Sequence, residues 1–150
     1  MGTLRRAPFG RTGMDITRVG FGAWAIGGAW QWGWGQVDDA ESVDQARQEL
    51  ALLYLQQDRI RTALPVFLEF AGAPDERRDL RAFGLAGEAI VFGRQGDTVQ
   101  ACRALELLLP LQASLDPRLN RQVAQVLPDL LTKLDPKIAA DWGAWLGRLK

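Results

Sequence analysis

The sequence predicts a mainly α fold, with antiparallel helix hairpins stacked in order behind an N-terminal β-hairpin and a Gly/Trp-rich arm. Three observations predict it. From Asp38 onward, apolar residues recur at helical spacing between short breaks that carry Asp, Gly or Pro. Residues 1–37 instead hold nine of the sixteen glycines and four of the six tryptophans. A set of small and large apolar residues also recurs at an offset of 38. The chain therefore divides into an N-terminal segment, 1–37, and a helical domain, 38–150.

Leu4–Phe9, Arg11-Thr12-Gly13 and Met14–Phe21 read as strand, tight turn and strand, with Gly13 supplying the positive φ that such turns need. Gly22 to Gln36 alternates Gly with Ala and Trp, too glycine-rich for a helix and too apolar for a free linker. Trp24, Trp30, Trp32 and Trp34 need a surface. Either the arm folds back over the helices or it docks into another subunit.

Asp38-Asp39 places carboxylates at a helix start, and a first helix follows over about Ala40–Gln57. After Asp58 a second helix runs to about Ala71, with Pro65 near its first turns, and stops at Gly72-Ala73-Pro74. A third spans about Glu76–Arg94 and ends at Gln95-Gly96-Asp97; a fourth spans about Thr98–Ala113. Asp116-Pro117 and Asp135-Pro136 each give an N-cap followed by proline at the first helical position. They launch a fifth helix, kinked or split at Pro128, and a sixth ending near Lys150. Trp142 and Trp145 share a face of the last helix and read as core rather than as an exposed contact patch.

Within the repeat, Ala51, Tyr54, Gln57, Ala63 and Phe67 return as Ala89, Phe92, Gln95, Ala101 and Leu105. Small residues mark where the helices of a hairpin approach closely, and the large ones fill the space beside them. Leu50-Ala51, Tyr54, Ala63, Phe67 and Pro74, then Ala89, Phe92, Gly96-Asp97, Ala101 and Leu105, resemble the tetratricopeptide repeat family over about residues 40–115. The resemblance implies two repeats, with 116–150 as capping helices. A bundle containing two similar hairpins is the alternative. In a repeat stack the first helix of each pair lines a concave groove for a protein or peptide partner. Helical phase nominates Gln45, Gln48 and Leu52 in the first copy, and Arg81 and Glu88 in the second.

The run Leu4–Trp24, continued by Ala25-Ile26-Gly27-Gly28 and by Asp38-Asp39-Ala40-Glu41-Ser42, resembles the N-terminus of aldo/keto reductases over about residues 1–42. That likeness implies a hairpin flooring a (β/α)₈ barrel, with Gly22-Ala23-Trp24 near a nicotinamide. The family's chemistry uses a Tyr tuned by Lys, Asp and His; this chain has no histidine, and its only tyrosine, Tyr54, sits mid-helix. A closed barrel also takes at least about 200 residues.

Other reactive inventory is sparse. With no His and one Cys, neither a zinc set nor a Cys-His nucleophile assembles within one chain. Gly20, Gly22, Gly27 and Gly28 miss the dinucleotide spacing. Cys102, beside Ala101, reads as a buried thiol. Arg77, Arg78 and Arg81 interleave with Asp75, Glu76 and Asp79, as on a solvated helix face.

Eighteen cations balance eighteen anions, so no net field points to nucleic acid or to a membrane surface. Fifteen of those cations are Arg, suited to fixed ion pairs between helices. No apolar run reaches the roughly 18 residues that span a bilayer. Arg5-Arg6 ahead of Val19–Trp30 has an export-signal pattern that Asp15 and Arg18 interrupt. One cysteine and no span lead us to expect a cytoplasmic chain.

The functional expectation is a non-enzymatic protein-interaction or scaffold module with no cofactor or metal. Its partner contacts are Gln45, Gln48, Leu52, Arg81 and Glu88 in the groove, and Trp30, Trp32 and Trp34 where the arm self-associates. The alternative is a reductase-derived fragment that retains NADP(H) or another ligand without catalysis. A fusion of unrelated segments near Asp38–Val43 would also produce this pattern.

Overall fold

The computed structural model describes residues 6–8, 11, 13, 15–17 and 39–149. The arm with Trp30, Trp32 and Trp34 lies outside them. The chain forms two compact units, Met1–Asp44 and Gln45–Lys150. In the first, β1 (Arg6–Pro8) pairs antiparallel with β2 (Asp15–Thr17), placing Ala7 opposite Ile16. The remainder of the strands expected over Leu4–Phe9 and Met14–Phe21 lies outside the described residues.

The described chain is mainly helical: α1 (Asp39–Gln56), α2 (Ile60–Ala71), α3 (Arg78–Gln95), α4 (Thr98–Leu108), α5 (Pro117–Leu131) and α6 (Pro136–Arg148). Two expectations are corrected. α4 ends at Leu108 and tightens into a 3-10 helix at Leu109–Ser114, because Pro110 cannot donate the next α-helical bond. α5 continues through Pro128 to Leu131 without splitting. Pro128 is exposed, while Leu127 and Leu130 on either side of it are buried and hold the last turn to the core.

The turns that close α1 and α3 are built alike. Asp58 has φ 56° and Gly96 has φ 77°, both left-handed and separated by the offset of the sequence repeat. Arg59 N–H donates to Tyr54 O at 2.8 Å, and Asp97 N–H donates to Phe92 O at 3.0 Å. The next helices open with Ala63 N–H to Arg59 O at 3.1 Å and Ala101 N–H to Asp97 O at 3.0 Å. Bonds of this kind satisfy carbonyls that a helix end leaves without partners. The same opening recurs at α6, where Ala139 N–H donates to Asp135 O at 2.8 Å.

α3 is the central element of its unit. Ten of its residues are buried, from Leu80 to Val91, as befits a helix that is apolar on several sides. It packs against α2, α4, α5 and the 3-10 helix. Its contact with α2 is a close backbone approach. A Cβ on Gly84 would collide with the backbone of Phe67, Phe70 and Ala71, and one on Gly87 would enter the Phe67 ring. Phe83 packs beside this seam on Phe67, with ring centroids 5.4 Å apart, and on Phe70 edge-on at 5.7 Å. At the far end Trp142 and Trp145 are buried, stacked edge to face at 5.3 Å. The indole N–H of Trp142 donates to Leu105 O at 3.2 Å, which ties α6 to α4.

Two glycine substitutions should therefore act in opposite directions. Gly84→Ala forces α2 and α3 apart and should cost about 2 kcal/mol or more of unfolding free energy. Gly143→Ala lies within α6 and meets nothing within 4 Å. It should add about 0.5–1 kcal/mol. Urea denaturation of the two variants beside the parent chain measures both.

Candidate functional site

Among the described residues, surface grooves lie on two flanks of α3. The first lies between α1 and α5. Gln48 borders a depression of about 390 Å³ with Asp79, Phe83 and the chain from Ala113 to Pro117. Glu49, Leu52, Leu53 and Gln56 border another of about 380 Å³, facing Arg118 and Gln122 of α5. One ion pair, Arg118 Nη1 to Glu49 Oε1, joins α1 to α5 beside them.

Asp116 sets the position of that arginine. As the α5 N-cap it accepts from Arg118 N–H at 2.8 Å, and it also accepts from Nε at 3.0 Å and Nη2 at 2.6 Å. Burial works to raise the Asp116 carboxyl, but the bonds from Arg118 outweigh it and hold the group below the usual carboxylate range. The Arg118 guanidinium is correspondingly pushed up, first by its bond to Asp116. At the other end of α3, Arg94 donates to Leu55 O at 3.4 Å and to Gln122 Oε1 at 3.1 Å, and lies 3.6 Å from Asp58. Arginine thus ties α3 to both neighbours, a use to which its planar fork is suited.

The second groove lies on the opposite flank, between α2 and α4. Leu68 and Ala71 of α2, Leu85 and Glu88 of α3, and Gln100, Arg103, Ala104 and Leu107 of α4 surround about 330 Å³. Leu68 and Leu107 are 48% and 47% exposed, so its rim is apolar and open. Glu88 is half-buried, and burial pushes its carboxyl above the usual range, with Arg103 opposing. A further depression of about 600 Å³ on α4 borders Cys102, which is 9% exposed. Burial, with Glu106 adding and Lys133 opposing, pushes that thiol up, which disfavours the reactive thiolate.

The predicted contact residues therefore separate. Gln45 is exposed and Gln48 half-buried on α1. Leu52 is only 6% exposed and packs into the core, so at the depression it borders it forms part of the wall rather than an open contact. Arg81, Leu85 and Glu88 follow at i, i+4 and i+7 on α3, and this face looks toward α2 and α4 rather than into the groove shared with Gln48. Arg81 is held by Asp75 at the start of that face. Helical phase alone could not reveal this, because it does not say which neighbour each face meets. Glu49, Arg94, Arg118, Leu68 and Leu107 were missed, although the Asp116-Pro117 signal had already placed the cap on which Arg118 is built.

Two variants test these carboxylates. Asp116→Ala removes the cap and frees Arg118, and should cost about 1 kcal/mol at neutral pH. Because the folded pKa of Asp116 is depressed, that loss should disappear as pH falls through its lowered value. Glu88 has the opposite sign. Its raised folded pKa means that stability present at low pH is lost as pH rises through that value. Glu88→Gln should therefore raise the melting temperature at pH 7, with the gain fading toward the acid side of the ordinary carboxylate range. Thermal melts across pH read both effects.

No protein-family model, curated protein or solved structure matches this chain.

Proposed function

We propose that residues 38–150 form a tetratricopeptide-like stack of helix hairpins that works as a non-enzymatic protein-interaction module. The observation that carries this reading is the repeated turn, whose left-handed residues and hydrogen bonds recur in step with the sequence repeat. Burial repeats with it. Ala51 and Ala89, Ala63 and Ala101, and Phe67 and Leu105 are each 0% exposed. Tyr54 and Phe92 are both half-buried, and Gln57 and Gln95 both exposed. On this reading the first copy's groove, with Gln45, Gln48 and Gln56, receives an extended or helical segment of a partner between α1 and α5. Amides at a cleft, Gln48 half-buried and Gln56 exposed, suit backbone and side-chain hydrogen bonding more than catalysis. The segment 1–37 is then an appendage, with Trp30, Trp32 and Trp34 available for self-association.

Affinity capture with the intact chain, a Gln48→Lys/Gln56→Lys variant and a chain lacking residues 1–37 tests the proposal. A protein retained by the intact and shortened chains, and reduced about tenfold by the double variant, is the expected result. Capture that survives the groove changes but vanishes without residues 1–37 assigns recruitment to the arm and ends this reading. Tryptophan quenching by NADPH that saturates would instead favour the reductase-derived alternative.

A further inference from the structure

We propose that the groove between α2 and α4 docks an apolar segment bearing one Lys or Arg, whose cation pairs with the Glu88 carboxylate. Two exposed leucines, Leu68 and Leu107, stand on opposite walls, with Leu85 and Ala104 between them. This supplies a bed for apolar side chains. Glu88 departs from that pattern. It is half-buried in the bed, and among the described residues no hydrogen bond or ion pair reaches it; Arg103 acts only through its field. Arg103 is exposed on the rim, where it also borders the depression containing Glu106.

Any apolar occupant that covers the groove removes the remaining water from Glu88. An unpaired carboxylate then becomes costly, and a paired one becomes favourable in the reduced dielectric. A cation in the occupant converts that cost into recognition, so the groove discriminates by charge as well as by apolar area. An uncharged segment, such as the chain's own residues 22–36, lacks this complement. The site lies on the flank of α3 away from Gln48, so failure of the first groove as a docking site leaves this inference standing.

The test uses the intact chain and a short synthetic amphipathic peptide with leucines at i, i+4 and i+7 and a single central lysine. A second peptide carries norleucine in place of that lysine. Fluorescence anisotropy should show the lysine peptide binding about tenfold tighter. Glu88→Gln should erase the preference, Leu107→Asp should weaken both peptides, and Arg103→Gln should leave the preference intact. Equal binding of the two peptides, a preference that survives Glu88→Gln, or no binding by about millimolar peptide overturns the proposal. Sedimentation of the chain alone is the second readout: self-association lost in Leu107→Asp would assign the groove to another copy and overturn it equally.

Discussion

The backbone of α3 lies against the backbone of α2 because Gly84 and Gly87 present no side chain there, and most of the unit is positioned from that contact. Phe67 occupies the space that a Cβ on Gly87 would take, and Phe70 and Phe83 close around it. Packing of this density tolerates added volume poorly. α3 carries the consequence outward, since α4, α5 and the 3-10 helix all rest on it. A shift at the glycine seam would therefore be transmitted to both grooves. Glycine weakens an isolated helix by about 0.5–1 kcal/mol per residue, so α3 draws its stability from tertiary burial rather than from propensity.

The two flanks of α3 are held by different forces. On the α2 side the contact is aromatic and buried. On the α1 and α5 side it is carried in part by arginines: Arg94 reaches Leu55 and Gln122, and Arg118 links Asp116 to Glu49. Exposed ion pairs contribute roughly 0–1 kcal/mol each, far less than the apolar seam. Their effect is geometric. They bridge α1, α3 and α5 beside the first groove, with little influence on whether the domain folds.

Most of the helix boundaries were legible because the signals that end helices are chemical and local. Asp97, Asp116 and Asp135 each cap the helix that follows, accepting from Gln100, Arg118 and Lys137 N–H. Gly96 ends α3 in the left-handed conformation. Asp58, where the sequence already breaks the helix, ends α1 the same way without being glycine, and it stands one repeat before Gly96. The functional faces were less legible. A helix of known phase still has two sides, and Glu88 and Gln48 were assigned to one groove although α3 separates them. Helical phase alone points Leu52 outward, because the helices that bury it are remote in sequence. Arg118 and Glu49 lie 69 residues apart, and no local pattern joins them.

The repeat also shows why Glu88 is informative. Its counterpart one copy earlier is Leu50, which is 42% exposed. At the more exposed position the chain places an apolar residue, and at the half-buried one it places a carboxylate whose ionisation burial resists. An exposed leucine is ordinary, but the half-buried carboxylate runs against the preference for charge outside. Stability alone would favour an uncharged residue at position 88. Where local rules are broken without an evident structural gain, the break points to a requirement outside the fold. At Glu88 the surrounding leucines, and the lack of a bonded partner among the described residues, are the grounds for proposing a positive charge in whatever covers the groove.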